Sequence, residues 1–229
     1  MKGPHDAPVP VLMYHVIGTA PPGAANPDLF VPAGTFAGQM RDLAHRGYHG
    51  VTLGQVFDFW RHSYALPSKP VVVSFDDGYA GQFTNALPVL RRLHWRGVLN
   101  LAVHNETVAG GMSVAKLRKL VADGWEINAH TIHHVDVTTL APAALRTEVA
   151  GSRQVIRRQL HVPVDFFCYP SGRFNATAIA AVKRAGYLGA TTTQTGLARP
   201  ATPYTLDRIR IDSIDSATTP AEKIRAAGG

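Results

Sequence analysis

The sequence is poor in cysteine, in long apolar runs and in runs of one charge. A single cysteine, Cys168, among 229 residues excludes an internal disulfide framework and a metal site built on paired cysteines. No apolar run approaches the length of a membrane span. Residues 1–10 lack the apolar stretch of a signal peptide, so we expect a cytoplasmic protein, or a periplasmic or extracellular one whose signal peptide was trimmed. The absence of a Gly-x-Ser-x-Gly elbow argues against a serine esterase.

Hydrophobic residues make up 45% of the chain and charged residues 17%, which is enough apolar material for a core. The net charge of +7 favours anionic partners such as a membrane surface, an acidic glycan or nucleic acid. Because the lysines and arginines are scattered along the chain, we interpret the excess as solvated surface. We therefore expect no nucleic-acid partner, and we leave peripheral membrane or cell-surface association and the oligomeric state open.

Segments typical of buried strands alternate with segments typical of helices, which indicates a parallel sheet covered on its faces. About seven such units predict an α/β fold, a distorted (β/α) barrel that need not be complete. We expect one domain over residues 1–229, in which the small, polar residues 213–229 form a tail or a boundary. The predicted strands are 9–14, 71–75, 98–103, 125–129, 164–169, 188–192 and 205–211, and the predicted helices are 35–46, 54–62, 83–96, 114–122, 142–160 and 176–185.

Two adjacent carboxylates, Asp76 and Asp77, follow an apolar strand directly. In a parallel α/β fold this position is the carboxyl-end mouth, where active sites lie. Neighbouring side chains on a strand point to opposite faces, so both carboxylates reach one cavity only if the chain turns, and Gly78 permits that turn. Taken alone, the pattern is more typical of an ordinary loop or helix cap, because Asp-Asp-Gly is a common turn sequence.

Three histidines, His130, His133 and His134, follow another apolar strand within five residues. One turn of helix would bring His130 and His134 to the same side, although His130 with His133 also fits. Two imidazoles and one carboxylate make a reasonable site for catalytic zinc, which keeps one position open. Because both signals follow buried strands, we expect them at the same mouth, where the spare aspartate can act on water.

These motifs resemble those of the polysaccharide deacetylases with NodB homology, carbohydrate esterase family 4. Residues 74–78 match the family's Thr/Ser-Phe-Asp-Asp-Gly motif, and residues 130–134 match its His-Ser/Thr-x-x-His motif. Residues 11–15, 167–172 and 206–209 are similar to segments of the subgroup that deacetylates poly-N-acetylglucosamine. The resemblance covers about residues 9 to 212, and it implies a hydrolase that removes N-acetyl groups from poly-N-acetylglucosamine or a chitin-like amino-sugar glycan, releasing acetate.

The resemblance also implies a role for each matched residue. Asp77, His130 and His134 would bind a divalent metal, with Zn²⁺ as first choice and Co²⁺, Ni²⁺ or Fe²⁺ as alternatives. Asp76 would be the general base, and the backbone N–H of Ser171 would donate to the oxyanion. The remaining expected site residues are His15, Tyr169 and Pro170 toward the substrate, and Arg208, which would orient Asp76.

The chain departs from the family pattern at two positions. Cys168 stands where many members have the arginine that orients the base, and no histidine follows His161 to serve as general acid. The general acid is therefore unassigned. These departures favour the poly-N-acetylglucosamine subgroup, and they keep open a catalytically weak glycan-binding homologue. A deacetylase of a small or lipid-linked amino sugar is a third reading.

Overall fold

Parallel strands dominate the computed structural model, which describes residues 5–62 and 64–228. Most strands are short apolar runs whose residues are buried on both faces, as expected for a sheet covered by helices. The strands are β1 (Val11–Tyr14), β2 (Val16–Ile17), β3 (Phe30–Val31), β4 (His49–Val51), β5 (Pro70–Asp77), β6 (Val98–Leu101), β7 (Glu126–Ala129), β8 (Phe166–Cys168), β9 (Gly189–Thr195) and β10 (Leu206–Arg210).

Seven of these strands close into a barrel. They pair in the order β1-β10-β9-β8-β7-β6-β5, and β1 pairs in parallel with β5 to complete the ring. The register of that closing pair aligns Val11 with Val72 and Tyr14 with Phe75. β4 pairs with the first residues of β5, and β2 pairs with β3 in a separate small sheet. The predicted seven-stranded (β/α) barrel is therefore confirmed.

Helices surround the barrel and differ from the prediction at three places. The predicted helix 83–96 ends at Arg92, and the predicted helix 142–160 is interrupted by a wider turn at Thr147–Gly151. The segment expected to be a tail forms a helix instead, because Ala221 and Ile224 are apolar residues that become buried. The helices are α1 (Ala33–His45), α2 (Leu53–His62), α3 (Leu87–Arg92), α4 (Val114–Ala122), α5 (Pro142–Arg146), α6 (Ser152–Leu160), α7 (Ala176–Arg184) and α8 (Thr219–Ala226).

The end of the barrel where the strands begin is closed by α2, and we call it the basal end. The ring of Phe57 on α2 lies 4.6 Å from that of Phe166, the first residue of β8. A Cβ atom at Gly189, the first residue of β9, would lie 2.6 Å from Phe57, so this close approach requires glycine. The opposite end, where the strands finish, is the mouth available for chemistry.

The helices of the described residues were compared with the length and hydropathy that a membrane span needs. None of these helices is both long enough and apolar enough to cross a bilayer.

Candidate metal centre and active site

A pocket of about 380 Å³ opens at the mouth of the barrel. It brings together most of the residues that the sequence predicts for the site, from four different strand ends or the loops that follow them. The loop after β2 contributes one rim through Asn26, Asp28 and Leu29. The pocket is lined by His15, Asn26, Asp28, Leu29, Asp76, Asp77, His130, His134, Tyr169, Ser171, Thr193 and Arg210.

Asp77, His130 and His134 converge on one point in this pocket. Oδ1 of Asp77 lies 3.5 Å from Nε2 of His130 and 3.4 Å from Nε2 of His134. The chain turns at Asp77 itself, whose φ of 77° is left-handed, before Gly78 continues the turn at φ 94°. This turn allows Asp76 and Asp77, which would otherwise point to opposite faces, to reach the same pocket.

His130 and His134 are brought together by a loop, so the helical turn predicted from their spacing is wrong. Thr131 and His134 have left-handed φ angles of 66° and 55°. The Thr131 hydroxyl oxygen accepts a hydrogen bond from the backbone N–H of His134 at 2.8 Å. This side-chain turn replaces the helical hydrogen bond and folds the chain back within four residues.

The three side chains fit a divalent metal. Oδ1 of Asp77 is buried and has no hydrogen-bond donor among the described residues, as expected of an oxygen reserved for a cation. Nδ1 of His130 donates to the carbonyl oxygen of Cys168 at 2.7 Å, which leaves Nε2 free to face the pocket. Burial lowers the pKa of His134 below its ordinary value. Burial would also lower the pKa of His130, but Cys168 and the carboxylates of Asp76 and Asp77 raise it to about 10, so a metal bound here would displace a proton from His130.

Asp76 is held by a different partner, Arg208. The guanidinium of Arg208 is fully buried, and Nη1 and Nη2 donate to Oδ1 and Oδ2 of Asp76, both at 2.8 Å. Asn100 adds a donor to Oδ1 at 2.8 Å. Burial alone would raise the pKa of the Asp76 carboxyl, but the charge and hydrogen bonds of Arg208 hold it well below its usual range. The predicted contact is present, and the carboxylate is ionised.

Cys168 contacts the Asp76–Arg208 pair but does not itself orient Asp76. Nη2 of Arg208 donates to Sγ at 3.3 Å, and Sγ lies 3.8 Å from Oδ2 of Asp76. The guanidinium that holds Asp76 therefore belongs to Arg208 on β10. The thiol of Cys168 on β8 is small enough to leave space for this guanidinium. This arrangement accounts for the cysteine at the position where many family members have arginine.

The residues predicted to face the substrate are placed unequally. His15 reaches the pocket, with Nε2 3.8 Å from Oδ2 of Asp76 and Nδ1 buried without a partner among the described residues. Tyr169 lines the pocket with a buried hydroxyl that likewise has no partner there. Ser171 lines the pocket in a left-handed conformation, φ 53°. Pro170 is buried in the same turn and does not line the pocket.

Sequence reasoning missed the residues that support the site from behind. Glu148, in the wide turn between α5 and α6, accepts from the backbone N–H groups of Ile132 and His133 at 2.8 and 3.1 Å, and from Nδ1 of His133 at 2.7 Å. Gln82 donates to the carbonyl oxygen of Asp76 at 2.6 Å. Nothing in the sequence marks Glu148. Asn100 carried a weak signal, as a polar residue within an otherwise apolar strand.

Comparisons with known proteins match the chain to polysaccharide deacetylases. The family model of polysaccharide deacetylases matches residues 63–190. The chain is 27% identical over 212 residues to Bacillus subtilis YxkH, provisionally named a polysaccharide deacetylase, covering 92% of this chain and 74% of that protein. It is 24% identical to the Escherichia coli K12 poly-beta-1,6-N-acetyl-D-glucosamine N-deacetylase, over 80% of this chain but only 34% of that protein. The solved Streptococcus pyogenes deacetylase PplD, in complex with acetate, superposes with a TM-score of 0.89 at 26% identity over 96% and 99% of the two chains.

Proposed function

The chain belongs to the polysaccharide deacetylase family, and we propose that it is a metal-dependent hydrolase that removes N-acetyl groups from an amino-sugar polysaccharide and releases acetate. One observation carries the proposal: two adjacent carboxylates at one pocket have separate partners. Asp77 faces the two imidazoles of His130 and His134, while Asp76 is clamped by Arg208. A poly-N-acetylglucosamine or chitin-like substrate is supported by the name of the E. coli relative.

In this proposal Asp77, His130 and His134 hold the metal, and Zn²⁺ suits two imidazole nitrogens and one carboxylate oxygen best. Co²⁺, Ni²⁺ and Fe²⁺ accept the same donors. The metal would supply Lewis-acid polarisation of the acetyl carbonyl and a lowered pKa of water. The carbonyl oxygen of Cys168 fixes the orientation of His130, and the hydroxyl of Thr131 fixes that of His134 through the backbone.

Asp76 takes the proton from the water that attacks the acetyl carbon. Arg208 keeps the carboxylate ionised and therefore able to accept a proton, but it also makes the carboxylate a weak base. A weak base removes a proton effectively only from an acidified water, which is the chemistry that a divalent cation provides. The arrangement of Arg208 on Asp76 thus accords with metal dependence.

The negative charge that develops on the acetyl oxygen needs donors. The backbone N–H of Ser171, in the turn after β8, is our candidate, because Ser171 lines the pocket together with Asp76 and both histidines. The amide C–N bond then breaks as the nitrogen takes the proton that Asp76 removed from water, so acetate leaves and the sugar keeps a free amine.

The test is acetate release from β-1,6- and β-1,4-linked N-acetylglucosamine oligomers by metal-stripped protein, with and without added zinc. We expect metal-dependent release, with the preferred linkage identifying the substrate class. Asp76→Asn should abolish turnover and preserve oligomer binding. Asp58→Asn makes the same chemical change on the exposed face of α2 at the basal end, and it should keep full activity. Full activity of the stripped protein would refute the mechanism.

A glycan-binding homologue of low activity remains the second candidate, because no histidine follows His161. It predicts oligomer binding without acetate release from any linkage, and binding that Asp76→Asn leaves unchanged. A deacetylase of a small or lipid-linked amino sugar predicts release from a monosaccharide or its lipid conjugate and none from the oligomers. The same acetate assay therefore separates the three functions.

A further inference from the structure

We propose that the basal end of the barrel docks on a bilayer that contains anionic phospholipids, with the mouth facing away from the membrane. The docking surface, which we call the basal face, is defined by exposed cations around the strand starts and by two exposed apolar side chains. Five exposed side chains, which we call the basal cations, supply the charge: Arg92, Arg96, Lys119, Arg157 and Arg158.

The topology gathers cations that are scattered in the sequence. Each helix of a (β/α) barrel runs antiparallel to the strands, so its last turn lies at the basal end. α3, α4 and α6 all carry arginine or lysine in that turn. Contacts link their ends: Arg91 pairs with Asp123 at 2.6 Å, and Nη2 of Arg118 donates to the carbonyl oxygen of Gln159 at 3.1 Å. The helix ends that carry the basal cations are therefore neighbours.

Most of the carboxylates at this end already have partners. Asp42 pairs with Arg46 at 2.7 Å, and Asp123 with Arg91 at 2.6 Å. The carboxylate of Glu126 accepts from the backbone N–H of Gly54 at 2.7 Å. By contrast, none of the five basal cations has an ion pair within residues 5–62 and 64–228. A helix dipole favours one cation in a last turn, but it does not explain adjacent unpaired arginines.

Apolar side chains are exposed on the same face. Tyr64, in the loop between α2 and β5, is 65% exposed, and Leu188, just before β9, is 39% exposed. Nη2 of Arg61 donates to the carbonyl oxygen of Leu188 at 3.2 Å, so α2 and the segment that precedes β9 are neighbours. Tyrosine favours the membrane–water interface, and clustered cations favour anionic headgroups. Cations around an end that also exposes apolar side chains suit a planar bilayer better than a linear polyanion.

The first test is cosedimentation of the full chain with vesicles of phosphatidylcholine, with and without 30% phosphatidylglycerol. We expect binding only to the anionic vesicles, weakening as salt rises. The double variant Arg157→Gln, Arg158→Gln should lower the partition coefficient roughly 30-fold, because each basal cation contributes about fivefold. The control Lys116→Gln, Arg146→Gln removes the same charge from helical turns nearer the mouth, and it should bind like the unaltered protein.

The second test reports orientation. Cys168 is buried, so an environment-sensitive fluorophore can be attached selectively to Tyr64→Cys or, on the mouth side, to Val108→Cys, a position that is 38% exposed. The proposal is supported if the fluorophore emission shifts to the blue on anionic vesicles when the label is at position 64 and does not shift when it is at position 108. A shift at position 108, equal loss of binding in both double variants, or binding to heparin without binding to anionic vesicles would each overturn it.

Discussion

Glu148 should control metal affinity without contacting the metal. Its carboxylate accepts from the backbone N–H groups of Ile132 and His133, which lie between the two metal-binding histidines. Glu148→Ala leaves those two donors without their partner. Outer partners of this kind typically contribute 10- to 100-fold to metal affinity, so we expect a zinc dissociation constant about 30-fold higher. The two N–H groups are only part-buried, so each lost hydrogen bond costs about 0.5–1.5 kcal/mol and the free energy of unfolding should fall by about 1–3 kcal/mol.

The conservative change separates positioning from folding. Glu148→Gln keeps one carbonyl oxygen for the backbone N–H groups, and His133 can change tautomer to accept from the new amide. We therefore expect Glu148→Gln to recover most of the metal affinity. The measurements are zinc titration against a competing chelator and urea unfolding of the metal-free protein, on both variants. Zinc titration is performed without urea, where circular dichroism confirms that each variant is folded.

Two outcomes would refute this reasoning. If Glu148→Ala lost stability but bound zinc as tightly as the unaltered protein, Glu148 would be structural only. If Glu148→Gln lost as much zinc affinity as Glu148→Ala, its charge rather than its support of the loop would matter.

Two further predictions concern buried charge. Arg208→Met leaves the carboxylate of Asp76 buried without a cation, so the free energy of unfolding in urea should fall by about 3–5 kcal/mol. The control Arg210→Met removes a partly exposed ion pair and should lower it by under about 1 kcal/mol. Equal losses in the two variants would contradict this account. Burial raises the pKa of Glu126 to about 7, so the folded state binds this proton more tightly and stability falls as pH rises from about 4.5 to about 7. In Glu126→Gln a flipped Asn128 preserves the hydrogen bond and no proton is bound or lost at this position. The free energy of unfolding of this variant, relative to the unaltered protein, should therefore rise by about 2–3 kcal/mol from pH 4 to pH 8, measured by urea unfolding at both pH values. A relative free energy that does not change with pH would contradict this prediction.

Local patterns in the sequence were sufficient to predict the barrel and to locate its mouth. Buried strands are contiguous apolar runs, and a polar motif at the end of such a run must lie at the mouth. The same logic placed Asp76, Asp77, His130 and His134 together. The error about the helical turn at His130 had a local cause: spacing alone does not reveal the left-handed residues Thr131 and His134, which close the loop by a side-chain hydrogen bond.

The supporting residues could not be predicted because their partners are distant in the sequence. Glu148 acts through a wide helical turn, and such a turn has no periodic signature. The grouping of the basal cations could not be predicted from the sequence for a related reason. Each helix contributes only one or two of them, and only the shared direction of the helices brings those separate contributions to one end of the barrel.

The link between Asp76 and Arg208 makes formation of the site depend on closure of the barrel. Asp76 is on β5 and Arg208 on β10, 132 residues apart, and β1 lies between these two strands in the ring. The two side chains meet because both point into the barrel rather than along its surface. An open sheet would leave the carboxylate without its guanidinium and free to protonate as burial dictates. The last strand therefore completes both the fold and the ionised state of the proposed base, so a variant that loosens β10 should lose activity before it loses its helices.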